Sequence, residues 1–130
     1  MPEIRKVLLV EDEEDIRKVA QISLQFRGNW AVAVAVNGEE CLAMAASDPP
    51  DLILLDCMMP RMDGYEACRR LKQDPVLSHI PVIFLTAKTQ ESEIKKGLAV
   101  GAVGYLTKPF NPMNLVEDIM KVLEEHQKPD

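Results

Sequence analysis

This sequence predicts a layered α/β fold built on a parallel sheet, and three observations carry that prediction. Leu52-Ile53-Leu54-Leu55 is an unbroken branched-aliphatic run, the mark of a strand covered by helices on both faces. Short apolar runs alternate with helical patterns along the whole chain, which implies right-handed crossovers and helices on both sides of the sheet. A polar side chain follows most of these runs at once, and the C-terminal edge of such a sheet is where ligands bind.

In chain order, Val7-Leu8-Leu9-Val10 is the first strand and stops at Glu11-Asp12. Ile16, Val19, Ala20 and Ser23 recur at helical spacing among charges, so an amphipathic first helix runs to about Gln25. Gly28 breaks it, and Trp30 to Val36 forms a second strand rich in Ala and Val, with Trp30 as packing. Asn37 followed by Glu40 reads as an N-cap with an acidic N3 residue, opening a helix through Cys41, Leu42 and Ala45. Asp48-Pro49-Pro50 closes that helix and feeds the central strand, which delivers Asp56.

The turn Met59-Pro60-Arg61-Met62 leads to Asp63, a cap for a third helix with Tyr65, Cys68 and Leu71 on one face. Pro81 opens a fourth strand, Val82-Ile83-Phe84-Leu85, which finishes at Thr86. A fourth helix covers roughly Glu91 to Val100 and ends at Gly101; Gly104-Tyr105-Leu106-Thr107 is a short fifth strand ending at Lys108-Pro109. Asn111-Pro112 reads as the N-cap and N1 pair of a last helix reaching about Glu125. That helix carries Leu115, Ile119 and Val122 on one side and Met113, Val116 and Met120 on an adjoining one. Its stripe is wider than one core face needs, which leaves deep burial and partner docking both open. A strand order of 2-1-3-4-5 gives a flavodoxin-like, doubly wound three-layer sandwich with five helices.

Composition bounds the rest. The 130 residues, 47% apolar and 28% charged, describe one globular domain spanning residues 1–130. A net charge of −6 argues against a broad nucleic-acid surface. Cys41, Cys57 and Cys68 have no CxxC spacing and read as reduced thiols, with Cys57 an inert filler. His79 and His126 have no metal-ligand company. There is no export signal and no membrane-length apolar run, so a cytoplasmic location is expected.

If all strands are parallel, Glu11, Asp12, Asp56, Thr86 and Lys108 share one edge. Clustered carboxylates repel by roughly 3–4 kcal/mol per pair at an effective dielectric near 20, so such a group holds a proton or a hard cation. Carboxylates with room for water suit Mg²⁺, with Mn²⁺ the alternative. Lys108 can pair with Asp56 and then with a phosphoryl oxygen, to which Thr86 can also donate. The set equips the edge for phosphoryl transfer to a carboxylate.

The chain resembles the receiver domains of two-component response regulators, the chemotaxis-type single-domain ones in particular. The resemblance rests on Glu11-Asp12, Asp56, Met59-Pro60-x-Met62-Asp63-Gly64, Thr86-Ala87 and Tyr105-Leu106-Thr107-Lys108-Pro109-Phe110. It implies that Asp56 accepts a phosphoryl group from the phosphohistidine of a sensor kinase or phosphotransfer protein. It also implies Mg²⁺ held by Asp12, Asp56 and the backbone carbonyl of Met58, with Glu11 reaching the ion through water. Thr86 and Lys108 would bind the phosphoryl oxygens, and Tyr105 would turn inward as Thr86 moves. The bond between Lys108 and Pro109 would be cis. The output would be the face of helix four, strand five and helix five, acting on a partner the sequence does not name.

Two other classes are weighed beside this. An aspartate-nucleophile phosphatase resembling the haloacid dehalogenases needs a second acid two residues after the nucleophile, where this chain has Met58. A receiver-like binding module could signal without phosphate, although nothing is missing from the pocket. Many DNA-binding relatives carry two acids before the strand-five tyrosine for dimer salt bridges. Here Ala102-Val103-Gly104 stands in that place, so a monomer is expected, with no direct nucleic-acid or membrane contact and no turnover beyond the chain's own phosphorylation and dephosphorylation.

Overall fold

A computed structural model describes residues 3–59, 62–87 and 91–127. Pro60 and Arg61 of the turn, and the chain's first two and last three residues, lie outside the described residues. Ten elements follow in order: β1 (Lys6–Val10), α1 (Glu14–Phe26), β2 (Ala31–Ala35), α2 (Gly38–Ser47), β3 (Leu52–Asp56), α3 (Gly64–Gln73), β4 (Val82–Thr86), α4 (Glu91–Ala99), β5 (Gly104–Thr107) and α5 (Leu115–Gln127). The sheet is ordered β2-β1-β3-β4-β5 and every neighbouring pair is parallel, the flavodoxin-like arrangement.

The pleat divides the core. Leu8, Val10, Ile53, Leu55, Val82 and Phe84 face one layer, where Cys41 and Ala45 of α2 and Tyr65, Cys68 and Leu71 of α3 cover them. Val7, Leu9, Leu52, Leu54, Ile83 and Leu85 face the other, against Ala20 and Leu24 of α1 and Leu115, Ile119 and Leu123 of α5. Every residue of β3 and β4 is buried, and each such aliphatic side chain stabilises the fold by roughly 1.5–3 kcal/mol. Edge strands β2 and β5 alternate between covered and exposed positions.

Local signals hold the helices at their starts. Asn37 accepts from the Glu40 amide at 2.8 Å while the Glu40 carboxylate accepts from the Val36 amide at 3.1 Å. Asp63 accepts from the Glu66 amide at 2.9 Å. Gly101, at φ +106°, ends the α4 segment in a left-handed conformation that a side chain would strain.

Helix α1 turns Ala20, Ser23 and Leu24 inward, whereas Val19 and Ile22 face outward. The apolar pattern on α1 is wider than its buried face, and spacing alone cannot choose which half of it packs. One expectation is corrected: helix α5 begins at Leu115 and not at Pro112. The Pro112 carbonyl accepts from the Ser23 hydroxyl at 2.6 Å and the Met113 carbonyl from Arg27 Nε at 3.0 Å. Both carbonyls thus bind α1 in place of starting a helical ladder, and Asn111 closes a tight turn by accepting from the Met113 amide at 2.9 Å. Within the wide α5 stripe Leu115 and Ile119 are fully buried, Val116, Met120 and Val122 pack on the core while partly exposed, and Met113 is exposed before the helix.

Candidate functional site

Parallel pairing sets the ends of β1, β3, β4 and β5 side by side, and Asp56 is level with Leu85, one residue before Thr86. Glu11 follows β1 and is fully buried; its amide donates to the Ala35 carbonyl at 3.0 Å, tying it to the end of β2. Arg17 of α1 donates to the Glu11 and Asp12 carbonyls at 3.1 and 3.4 Å, which holds the turn between β1 and α1. Lys108 follows β5 and is anchored by its amide to the Thr86 carbonyl at 2.8 Å; its bond to Pro109 is cis.

The side chains converge. Carboxylate oxygens of Glu11, Asp12 and Asp56 all lie within 4.8 Å of one another. The Lys108 ammonium is 2.6 Å from Glu11 Oε1 and 3.2 Å from Asp56 Oδ2. Asp56 Oδ1 accepts from the Met58 amide at 3.1 Å, and Glu11 Oε2 accepts from the Glu13 amide at 3.2 Å. Thr86 is buried at the neighbouring strand end. The Met58 side chain is exposed. Tyr105 is 38% exposed on β5, facing outward beside the crevice under α4.

Charge is incompletely balanced here. Despite the short Lys108 distance, Glu11 Oε1 makes no aligned hydrogen bond, so that contact is a charge pair with poor angles. Burial and the adjoining Asp56 carboxylate push the Glu11 carboxyl up to about 7, against the pull of Lys108. Burial opposes the charge on Lys108, yet Glu11 and Asp56 more than offset it and hold the ammonium above its ordinary range. Glu11 and Asp56 share one amine with the Asp12 carboxylate close by, and the buried Glu11 Oε1 has a charge pair but no aligned hydrogen bond. A hard divalent cation answers both conditions, since it takes oxygen ligands and neutralises their repulsion.

The approach to Asp56 depends on Gly64. A Cβ there would collide with the Asp56 carbonyl, and the Gly64 amide donates to the Cys57 carbonyl at 3.0 Å, drawing the start of α3 under the strand end. Cys57 is buried, and burial raises its thiol above the ordinary range.

One group here exceeds what the sequence indicates. The pattern assigns Tyr65 to the packed face of α3; its hydroxyl also donates to Glu93 Oε2 of α4 at 3.1 Å. The partners are 28 residues apart, and no local spacing signals such a pair. The resemblance likewise implies a water between Glu11 and the ion, without indicating how deeply Glu11 is buried beside Lys108.

The model of the response regulator receiver domain matches residues 7–120. The chain is 39% identical over 123 residues to the alkaline phosphatase synthesis transcriptional regulatory protein PhoP of Bacillus subtilis, covering 95% of this chain and 50% of that protein. It is 42% identical over 119 residues to the phosphate regulon transcriptional regulatory protein PhoB of Pseudomonas aeruginosa, covering 92% and 52%. It therefore spans about half the length of the curated relatives it matches. Among solved structures, chemotaxis response regulator CheY4 of Vibrio cholerae superposes with a TM-score of 0.86 at 35% identity, covering 92% of this chain and 99% of that one. The BeF3-activated DrrB receiver domain gives 0.79 at 32% identity, covering 94% and 99%.

Proposed function

The chain belongs to the response regulator receiver domain family, and on that premise we propose that it is a signalling switch whose phosphoryl acceptor is Asp56. The observation that carries this is the gathering of Glu11, Asp12 and Asp56 within 4.8 Å, with the Lys108 ammonium 3.2 Å from Asp56 Oδ2. An Asp56 oxygen attacks the phosphorus of a phosphohistidine on a sensor histidine kinase or phosphotransfer protein. The O–P bond forms as the P–N bond breaks, and the imidazole leaves with the electron pair.

Asp12, Asp56 and the Met58 carbonyl would hold Mg²⁺, or Mn²⁺ in its place, with Glu11 acting through a water. The ion would neutralise charge on the transferred group and on the acids around it. The chain's own groups do the rest. The Met58 amide fixes one Asp56 oxygen and leaves the other beside Lys108. Lys108 exchanges part of its carboxylate contact for a phosphoryl oxygen, and the Thr86 hydroxyl donates to another. The new group brings about two negative charges. If Thr86 and Lys108 meet it fully in only one arrangement, the population shifts toward that arrangement. Tyr105 then turns inward, and the face of α4, β5 and α5 changes for a partner protein.

The domain acts by protein contact from the cytoplasm, as a monomer with residues 1–130 as one receiver unit, and turns over nothing but its own phosphoryl group. Among the described residues no helix is long and apolar enough to cross a membrane. Incubation with Mg²⁺ and acetyl phosphate, followed by intact mass measurement, should add one phosphoryl group to the wild type and none to Asp56→Asn. Equal uptake by the variant would overturn the assignment.

A further inference from the structure

Helix α4 is attached to the rest of the fold differently from the other helices. Gly97 is its one buried residue, so apolar burial anchors it weakly. Three contacts on a single face replace that burial. Glu93 accepts from the Tyr65 hydroxyl at 3.1 Å, and the Lys96 ammonium sits 4.5 Å from the centre of the Tyr65 ring. Gly97 lets the helix approach so closely that a Cβ would stand 3.0 Å from the Phe84 ring and 3.7 Å from that of Tyr65. Glu93, Lys96 and Gly97 fall at i, i+3 and i+4, so they share a helix face. Tyr65 is itself buried, and its ring packs on Phe84 with centroids 5.1 Å apart.

The same contact closes a crevice. Tyr65, Phe84, Thr86, Glu93, Gly97 and Tyr105 border a cavity of about 10 Å³, room for about one water and not for a phenol ring. Tyr105 cannot turn into it while α4 keeps this seat.

Resting on the proposed switch, we propose that the Tyr65 hydroxyl is a positioning group: its bond to Glu93 holds α4 over the crevice and keeps the domain in its unphosphorylated arrangement. Tyr65 touches no reacting atom. It acts through α4, by setting how much must be broken before Tyr105 moves inward. Removing the hydroxyl leaves the ring, its packing on Phe84 and the Lys96 contact in place, and releases the tether together with the hydroxyl's contact to the buried Cys57 thiol.

The test is ¹⁵N NMR of the full chain titrated with beryllofluoride in Mg²⁺, a stable stand-in for the phosphoryl group. In the wild type the Gly104 and Tyr105 amides should move between two end positions. In Tyr65→Phe without beryllofluoride they should already lie part-way along that line, and half-saturation should need roughly threefold less beryllofluoride, because more of the competent state is populated beforehand. Glu93→Ala should shift them in the same direction, and the double variant should move by less than the sum of the two single effects, since the Tyr65–Glu93 bond is lost in both. Melting curves should show all three folded. Amides in Tyr65→Phe that stay at the wild-type positions, or single effects that add in the double variant, would overturn the proposal. A wild type that ignores Mg²⁺ and beryllofluoride altogether would instead defeat the acceptor assignment beneath it.

Discussion

Strand β3 and helix α4 are held in the molecule by opposite means. All five residues of β3 are buried between two helical layers, and the strand pairs on both sides, with β1 and β4. Helix α4 buries one glycine and lies beside β5, an edge strand with alternating exposure. The first anchors its residues by apolar area; the second relies on a hydroxyl, an ammonium and a close backbone approach. A group that must present an oxygen at a fixed place belongs on the first kind of element. A surface that must change belongs on the second, because locally weak elements open at low cost. The proposed acceptor and the proposed output divide between them in that way.

The contrast can be broken by substitution. Leu54→Ala empties a fully buried position of β3 and should cost about 2–5 kcal/mol in urea unfolding. A cost near zero would mean that the central strand is not the rigid part.

Next in size is a pH effect at the site. The folded Glu11 carboxyl titrates near 7 against an ordinary 4.5, so the folded state keeps a proton that the unfolded chain has released. Without divalent ions, stability should therefore fall as pH rises from about 4.5 to about 7 and level off above, by about 3 kcal/mol. Glu11→Gln should flatten that slope. An unchanged slope would show that Glu11 does not carry the proton. Smallest of all, Leu98→Ala on α4, with its side chain half exposed, should change stability by no more than about 0.5 kcal/mol. A loss as large as that at Leu54 would erase the contrast.

The half of the molecule that carries the proposed acceptor is more legible in the sequence than the half that carries the proposed output. Leu52 to Leu55 read as a strand covered on both faces, and Glu11, Asp56, Thr86 and Lys108 then fall at one edge if the strands are parallel. Asn37 and Asp63 announce their helices through bonds only three residues long. The start of α5 was not legible, because Ser23 and Arg27 claim its first carbonyls from 89 and 86 residues away. The inward face of α1 and the Tyr65–Glu93 bond were hidden for the same reason. Local spacing encodes local bonds, and these choices are settled by contacts between distant elements.

Backbone hydrogen exchange with and without Mg²⁺ and beryllofluoride tests the division most directly. The account predicts that β1 and β3 exchange slowest and keep their rates beyond the site residues. Amides at Thr86, along α4 and in Gly104–Thr107 should change severalfold or more, as expected of an element whose opening the ligand biases. Changes spread evenly over β1 and β3, with α4 and β5 unaltered, would contradict it.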